Sequence, residues 1–233
     1  MKDPGAIAIF VKTPGISPVK TRLARDIGER AARRFHLLSA RATTTVAREF
    51  LERNSGWQAC FAVAEQEGVK ATCWRALPTI WCGRGGLGRR MFQVVETLFQ
   101  GADRAILIGA DTPQIRVSHL ETAMNELRRS PWVIGPADDG GFWLLGTRVA
   151  LPLSVWQAPD YEDRPESVRK DLVNAATDAG LAPPAELELL TDVDRMTDLV
   201  AALKQWPDDK VENLDQANLR HWWEGQGSAL GRK

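Results

Sequence analysis

The chain has 233 residues, of which 26% are charged, and 30 Lys and Arg balance 30 Asp and Glu to a formal net charge of +0. This balance argues against nucleic acid or an anionic membrane surface as the main partner. No run approaches the ~20 apolar residues of a membrane span, and no leader is recognisable at the amino terminus. We therefore expect one globular domain over residues 1–233, located in the cytoplasm, with a helical tail from about residue 208.

The three cysteines are odd in number and none has the spacing of a CxxC motif. Cys60, Cys73 and Cys82 are therefore expected to be small buried side chains in a reducing compartment, and a disulfide framework or a zinc site is not expected. The three histidines likewise show no ligand spacing, and no role is assigned to them.

A basic loop follows the first predicted strand. The apolar run at residues 6–11 predicts a strand that is buried on both faces of a parallel sheet. The loop after it carries Lys12, Lys20 and Arg22. It nearly matches a Walker A loop, but Pro18 lacks the N–H that a backbone phosphate cradle needs. Phosphate would therefore be held by the three side chains; the alternative is a basic loop in solvent.

Strand-like runs alternate with amphipathic segments along the rest of the chain. The hydrophobic spacing predicts helices at 29–50, 87–98, 118–127, 165–179 and 196–206, and strands at 57–64, 79–82, 105–109, 132–135, 142–146 and 187–190. A capping box at Ser118 and Glu121 would begin one helix. The strand at 142–146 is expected to return antiparallel. The pattern predicts an α/β fold, a three-layer α/β/α sandwich with a mostly parallel central sheet and one antiparallel strand.

Asp111 stands where the most apolar of these strands ends. Thr112 and Pro113 follow it, and proline stops further strand pairing. In open parallel sheets ligands gather outside the carboxyl ends of the strands, so Asp111 is a candidate for contact with a metal or ligand. The alternative is an aspartate that simply starts a turn.

Two further acidic loops are candidates for the same edge of the sheet. Asp139 precedes Gly140 and Gly141, which would permit close approach of a ligand; an ordinary turn is the alternative. Asp192 and Asp194 are two apart, would share a face if extended, and could help to hold a cation. Asp194 also stands where the cap of the helix at 196–206 is expected.

A glycine loop joins the strand at 79–82 to the next helix. Gly83, Gly85 and Gly88 match the dinucleotide fingerprint, but the motif lies at the third strand and not in the opening βα unit. What the pattern still indicates is a helix amino terminus whose backbone amides could approach an anion. Arg84, Arg89 and Arg90 add positive charge, for which solvated helix positions are the alternative explanation.

Taken together, these motifs resemble one family. The segments concerned are Lys12–Gly15 with Val19–Leu23, Gly86–Gly88, Ile108–Pro113, Gly135–Phe142 and Thr191–Asp194. In this order they resemble the bacterial glycosyltransferase-like proteins of GT-A (nucleotide-diphospho-sugar transferase) fold, some of which are assigned to arsenosugar biosynthesis. They are more distantly similar to the molybdenum-cofactor and phospholactate nucleotidyltransferases. The resemblance covers roughly residues 6–205.

The resemblance implies a nucleotide site over the carboxyl ends of the first strands. It implies Mg²⁺ or Mn²⁺ at Asp111, to which Asp192 could add a ligand, and a catalytic Asp139 near the sugar or acceptor. The phosphates would meet Lys12, Lys20, Arg22 and Gly86, and the substrate would meet Gly140 and Gly141. Many relatives carry acidic residues near positions 84, 86 and 89, where this chain has Arg84, Gly86 and Arg89.

Three functions remain open at this point. The first is metal-dependent glycosyl transfer from a nucleotide-diphospho-sugar to a small-molecule acceptor, with Asp139 taking the acceptor proton. The second is nucleotidyl transfer from a nucleoside triphosphate to a phosphorylated small molecule with release of pyrophosphate, which the basic loop would suit. The third is a nucleotide-binding module without turnover. A homodimer is possible, and nucleic acid is not an expected partner.

Overall fold

The computed structural model describes residues 4–208, 210 and 212–230. The strands are β1 (Gly5–Val11), β2 (Trp57–Val63), β3 (Thr79–Trp81), β4 (Arg104–Gly109), β5 (Trp132–Pro136), β6 (Phe142–Thr147) and β7 (Ala185–Glu186). The α-helices of these residues are α1 (Thr21–Ile27), α2 (Glu29–Arg53), α3 (Leu87–Leu98), α4 (Val117–Glu126), α5 (Leu153–Gln157), α6 (Val168–Asp178), α7 (Met196–Lys204) and α8 (Leu214–Leu230). Short 3₁₀ helices lie at Glu67–Lys70, Thr72–Trp74 and Pro165–Ser167.

The strands form one seven-stranded sheet in the order β3-β2-β1-β4-β6-β5-β7. β1 pairs parallel with β2 and β4, and the β2–β3 and β5–β7 pairs are also parallel. β6 runs antiparallel to both of its neighbours, β4 and β5. The predicted α/β fold with a mostly parallel sheet and one antiparallel strand is therefore confirmed.

Alternate residues of the strands point to opposite faces of the sheet, and a hydrophobic core lies on each face. On one face Ile7 and Ile9 of β1 pack with residues of α2 and α4, including Phe50 and Leu120. On the other face the small residues of β1 pack with α3, α5 and α6, including Trp156. Helices therefore cover both faces, as a sheet that is apolar on both sides requires.

A third cluster lies beyond the edge of α2 and holds the tail. Leu23 of α1, Phe35 of α2 and Leu199 of α7 pack there with Leu219 and Trp223 of α8. Hydrophobic burial of this kind stabilises the packing of α8 against α1, α2 and α7.

The order of the strands creates a switch point between β1 and β4. From β1 the chain moves outward to β2 and β3, and then it returns to β4 on the other side of β1. Phe10 lies level with Gly109 in the parallel ladder, so the loops after β1 and β4 leave the sheet at the same height. Such a point leaves a crevice at the carboxyl ends of the two strands, which is where ligands of open α/β sheets bind.

The strand predicted at residues 187–190 lies two residues earlier, at β7. Leu187 still donates its N–H to the carbonyl of Ile134, and Leu190 donates to Pro136. The register of β5 shifts at Gly135 and Pro136, so the ladder is broken and this part of the chain keeps only isolated contacts. Side-chain spacing could not reveal that shift, because it lies in the partner strand.

Two short helices, α1 and α5, were not predicted, and one predicted cap is wrong. α4 begins at Val117, so Ser118 lies within the helix and cannot cap it. His119 Nδ1 accepts the Arg116 N–H over 3.0 Å in its place. A histidine can cap because its ring nitrogen is an acceptor, but the usual capping residues are short hydroxyl or carboxylate side chains.

The cysteines divide into two environments. Cys60 and Cys82 are buried, as expected, and burial raises the pKa of Cys60 to about 11 and that of Cys82 to about 12. Cys73 is exposed, so the expectation of burial is wrong for this residue. It lies in a 3₁₀ helix outside the sheet, where apolar periodicity makes no prediction. Within the described residues, every helix is too short or too polar to cross a membrane.

Candidate functional site

A cleft with two chambers opens at the switch point. The first chamber has a volume of about 530 Å³ and the second about 250 Å³. Both are lined by Phe10, Leu87, Gly109, Asp111, Asp139 and Tyr161. The first chamber adds, among others, the polar groups Lys12, Lys20, Arg22, His36, Arg90 and Asp194. The second adds Met91, Leu107, Ile108, Gly141, Phe142, Trp143, Val168 and Asp192.

Lys20 is the buried centre of the first chamber. Its side chain is 3% exposed, and its Nζ lies 3.0 Å from Asp111 Oδ1 and 3.0 Å from Asp194 Oδ1. It also donates to the carbonyl of Val193. Burial lowers the pKa of Lys20, but the two carboxylates outweigh it and hold the pKa above its usual value. The lysine therefore stays charged and joins the loops that follow β1, β4 and β7.

The backbone at Lys20 is itself unusual. Its φ of 48° and ψ of 46° place it in the left-handed region, the one such residue among the described non-glycine residues. A side chain in this region costs about 1–3 kcal/mol unless the surroundings hold it there, and such outliers cluster at ligand sites. The three hydrogen-bond acceptors of Lys20 Nζ keep the residue in this backbone conformation. The left-handed turn also starts α1, so the position of the ammonium and the start of the helix depend on each other.

Asp194 is a member of the site and not a helix cap. Asp198 Oδ2 accepts the N–H groups of Asp194 and Arg195 over 3.0 and 2.7 Å, which satisfies the start of α7 from within the helix. The Asp194 carboxylate is then free to pair with Lys20 and with Arg22 Nη1, the latter over 3.2 Å. The expected capping role is therefore wrong, and the pairing with the basic loop could not be seen in spacing alone.

Asp111 and Asp192 form the acidic end of the cleft. Burial raises the pKa of Asp111, but Lys20 outweighs it and holds the pKa below its ordinary value. Burial also raises the pKa of Asp192 to about 7; the hydrogen bond from Thr112 opposes this rise, and the charge of Asp111 adds to it. The Val193 N–H donates to the Asp111 carbonyl over 2.9 Å, which fixes the two loops together. One carboxylate is thus ionised, and its neighbour titrates near neutrality.

Asp139 faces both chambers, whereas Asp138 faces away from them. Asp138 Oδ2 accepts the Thr191 hydroxyl over 2.7 Å. Asp139 Oδ1 accepts the Gly141 N–H over 2.9 Å. Burial raises the pKa of Asp139; the bond from Gly141 opposes this, and the charges of Asp194 and Asp138 add to it. A carboxylate with a raised pKa, open to a cleft, is suited to accept a proton.

The predicted glycines differ in where they lie. Gly141 lines the second chamber, but Gly140 is not among the residues that line either chamber. Gly140 has a φ of 94°, and a Cβ there would lie 2.2 Å from the Glu166 carbonyl oxygen, so packing alone demands a glycine. Gly86 caps α3 just outside the cleft, with φ of −67° and open space around it.

The third glycine of the loop has a packing role. A Cβ on Gly88 would lie 1.8 Å from the carbonyl oxygen of Trp156, which is the end of α5. Gly88 therefore lets α3 approach α5 closely, and that approach brings Leu87 and Arg90 to the cleft. The last glycine of the dinucleotide fingerprint likewise allows close packing, but there of a helix on a strand, whereas here two helices meet.

Residues outside the predicted site hold the basic loop from behind. The Thr13 N–H donates to Glu65 Oε2 over 2.9 Å, and the Trp74 indole N–H donates to Thr13 Oγ1 over 3.0 Å. His36 Nε2 lies 2.9 Å from the carbonyl of Lys12, and its ring meets the Trp74 ring edge-on. These contacts set the path of the loop, so that Lys12 and Arg22 line the cleft with exposed side chains.

Sequence reasoning assigned no role to two polar residues that line the cleft, His36 and Tyr161. It counted Arg90 with the arginines near the glycine loop and offered Asp194 as a cation ligand or a helix cap, so it did not foresee their contact with the basic chamber. His36 and Arg90 lie on α2 and α3 among other polar residues of these helices, so the sequence does not single them out. Tyr161 is the one tyrosine in the chain, which is the only signal that marks it. Among the described residues, no group of three or more His, Cys, Asp or Glu is close enough to form a preformed metal cage.

Comparison with known proteins identifies the fold. Residues 51–161 match a family described as an uncharacterized protein conserved in bacteria, DUF2064. No protein with a curated description matches the sequence. A protein from Desulfovibrio desulfuricans G20, provisionally named a nucleotide-diphospho-sugar transferase, has 25% identity and a TM-score of 0.78, with 95% of each chain covered.

Two more distant structures have the same fold. CMP:2-keto-3-deoxy-manno-octonic acid synthetase, solved with CTP, has 15% identity and a TM-score of 0.53 over 86% of this chain and 98% of its own. Rv0371c from Mycobacterium tuberculosis H37Rv, solved with manganese, has 15% identity and a TM-score of 0.50 over 88% of this chain and 100% of its own. The resemblance expected from the motifs is thus confirmed: the chain has the nucleotide-diphospho-sugar transferase fold, and its central part matches DUF2064.

Proposed function

We propose that the chain transfers a glycosyl group from a nucleotide-diphospho-sugar to a small-molecule acceptor. The observation that carries this proposal is the division of charge in the cleft. All the cations that line it belong to the first chamber, and a carboxylate, Asp139, stands where the two chambers meet. A donor with a diphosphate suits the first chamber, and an acceptor with a proton to lose suits the second. The likeness to the Desulfovibrio protein supports the same reading.

A divalent cation fits the acidic end of the cleft. Asp111 and Asp192 offer carboxylate oxygens, which are the ligands that Mg²⁺ and Mn²⁺ prefer. The charge of Asp111 helps to raise the pKa of Asp192, and a cation bound by both would relieve that repulsion. Mg²⁺ needs no full protein cage, since it usually takes one or two carboxylates together with waters and phosphates. When bound, the cation would neutralise charge on the leaving diphosphate.

The basic residues of the cleft have two different proposed roles, phosphate binding and positioning of carboxylates. Lys12 and Arg22 are exposed on the cleft and would pair with phosphate oxygens. Arg90 lines the same chamber from α3 and would add a third donor. The three N–H groups of the Lys20 ammonium already have protein acceptors. We therefore propose that Lys20 positions Asp111 and Asp194. It would reach phosphate only by exchanging one of these partners.

Asp139 is proposed as the general base. It touches both chambers, and its Oδ1 is oriented by the Gly141 N–H. Its raised pKa improves its strength as a base. Asp139→Asn should lower kcat by about 10²–10⁴-fold with little change in the KM of the donor, because the amide keeps the shape but cannot take a proton.

Nucleotidyl transfer is the second candidate. The basic loop would accept a triphosphate as readily as a diphosphate, and the CTP-bound synthetase shares the fold. The two reactions differ in product. Free nucleoside diphosphate from a nucleotide sugar indicates glycosyl transfer, and pyrophosphate from a nucleoside triphosphate with a phosphorylated acceptor indicates nucleotidyl transfer.

The test combines a binding screen with product analysis. Nucleotide sugars such as UDP-glucose, GDP-mannose and dTDP-glucose should raise the melting temperature in the presence of Mn²⁺, since they bind the native state alone. Asp111→Asn should abolish most turnover, and Asp178→Asn, an exposed carboxylate at the end of α6, is the matched control. Full Mn²⁺-dependent activity in Asp111→Asn would refute the assigned metal site. Tight nucleotide binding without turnover would favour the third hypothesis, a nucleotide-binding protein that is not an enzyme.

A further inference from the structure

We propose that the second chamber binds an uncharged acceptor with a mostly apolar body, whose hydroxyl lies at the end of the chamber beside Asp139. This inference rests on the proposed function, because it names the acceptor class of the same site. The second chamber shares its polar end with the first, and the two differ sharply in the rest of their lining.

The first argument is charge. Among the described residues that line the second chamber there is neither a lysine nor an arginine, and three are aspartates, Asp111, Asp139 and Asp192. A phosphate or carboxylate placed there would lose its hydration without a lysine or arginine to pair with, and a divalent cation held by Asp111 and Asp192 would already be engaged by the diphosphate of the donor. In contrast, the first chamber holds Lys12, Arg22 and Arg90. An anionic acceptor is therefore selected against in the second chamber.

The second argument is the direction in which polar atoms point. Trp143 and Tyr161 line the second chamber, and both carry a polar group that could serve a ligand. The Trp143 indole N–H donates instead to the Glu188 carbonyl over 3.0 Å, and the Tyr161 hydroxyl lies 2.9 Å from the Trp156 carbonyl, to which it donates. Both rings therefore present carbon to the chamber. A polyhydroxylated group deep inside would leave its hydroxyls without partners.

The third argument is the rest of the wall and its size. Met91 from α3, Phe142 from β6 and Val168 from α6 complete an apolar surface around the chamber. Met91 and Val168 are 4% and 5% exposed, so the wall belongs to the hydrophobic core and is preformed. A volume of about 250 Å³ lies just below that of common small-molecule pockets, about 300–1,000 Å³. The group that enters is therefore small.

The bonds formed and broken in the proposed glycosyl transfer balance. The oxygen of the acceptor hydroxyl forms a bond to the anomeric carbon of the donor, and its proton passes to the Asp139 carboxylate. The bond between that carbon and the diphosphate oxygen breaks, and its electron pair leaves with the nucleoside diphosphate. No oxidant or further reactant is needed. An acceptor that attacks through a phosphate would need a lysine or arginine beside it, and none of the described residues that line the second chamber is one.

The test uses two probes of the same shape, 3-phenylpropan-1-ol and its phosphate monoester. Binding to the wild-type protein is measured by saturation-transfer NMR without any donor, so the result does not depend on turnover. We expect the alcohol to bind at least tenfold more tightly than the ester. Tighter or equal binding of the ester, or binding of neither probe, would overturn the inference.

A pair of leucine variants locates the binding. Leu87 lines the second chamber where it meets the first and is 46% exposed, and Leu189 is 49% exposed and lines neither chamber. Leu87→Lys should weaken binding of the alcohol at least fivefold and strengthen binding of the ester, and Leu189→Lys should change neither. Equal effects of the two variants would place the alcohol elsewhere and overturn the inference. Displacement of the alcohol by a nucleotide sugar would also overturn it, since the chamber would then hold the sugar of the donor.

Failure of the proposed function would look different. If the alcohol binds as expected but nucleotide sugars give no nucleoside diphosphate with or without it, the acceptor class stands and glycosyl transfer is refuted. If nucleotide sugars are turned over and the alcohol neither binds nor raises the rate, glycosyl transfer stands and the acceptor class is refuted.

Discussion

Asp192 should make the protein less stable as the pH rises toward neutrality. Burial, together with the charge of Asp111, raises its pKa from an ordinary value of 3.8 to about 7. This difference is about 3 pH units, and each is worth about 1.4 kcal/mol, so the ceiling is about 4 kcal/mol. Because the cleft is open to water, we expect about 2 kcal/mol. Asp192→Asn removes the charge and keeps an acceptor oxygen for Thr112.

The direction follows from proton counting. Between about pH 4 and pH 7 the native state holds a proton on Asp192 that the unfolded chain has released, so the free energy of unfolding falls as the pH rises through this window. Above pH 7 both states are ionised and the loss is complete. Asp192→Asn has no such pH dependence. Its free energy of unfolding should therefore equal that of the wild type at pH 4 and exceed it by about 2 kcal/mol at pH 8.

The assay is urea unfolding followed by tryptophan fluorescence at half-unit steps from pH 4 to pH 8, in the presence of a chelator. Asp178→Asn is the control, since that carboxylate is exposed and lies at the far end of α6. The reasoning is refuted if the stability curves of Asp192→Asn and the wild type run parallel over the whole range. Addition of Mn²⁺ at pH 8 should stabilise the wild type and leave Asp192→Asn less affected.

Three further predictions concern packing and the basic loop. Gly88→Ala should cost at least 2 kcal/mol of unfolding free energy, because its Cβ would meet the Trp156 carbonyl at 1.8 Å, whereas Gly86→Ala, with open space around it, should cost about 1 kcal/mol or less; urea unfolding compares the two. Lys20→Met should cost about 3 kcal/mol of unfolding free energy at pH 7.5, since it leaves Asp111 without the lysine that pairs with it, and the cost should shrink as the pH falls and Asp111 becomes protonated. Trp74→Phe removes the indole hydrogen bond to the basic loop, so it should cost about 1 kcal/mol and raise the KM for the nucleotide while kcat changes less, which steady-state kinetics would detect.

Much of the fold was predictable because it depends on short-range patterns. Strands such as β1 and β4 are apolar on both faces, and helices such as α2 and α3 repeat apolar residues every three to four positions. These patterns are properties of neighbouring residues and survive without knowledge of the partner elements. The short α1 and α5 escaped prediction because five to seven residues hold too few turns to show a period.

The site was predictable in part. Asp111, Asp139, Lys12 and Arg22 come directly after predicted strands or tight turns, and in an α/β sheet those positions converge at one edge. The role of Asp194 was not predictable, because the competing cap, Asp198, belongs to the next helix turn. His36 and Arg90 reach the cleft from positions within helices, and only the docking of α2 and α3 on the sheet decides which face of each helix meets the cleft.

The amino-acid sequence by itself determined the type and order of the elements, the edge of the sheet at which the charged loops meet, and the resemblance carried by those loops. Only the tertiary structure decided that Lys20 is buried against two carboxylates and that, among the described residues, the lysines and arginines of the cleft line one chamber while aspartates and apolar side chains line the other. The reason is physical. Hydrophobic periodicity depends on residues a few positions apart, but the environment of a charge is set by groups up to about 170 positions away in the chain.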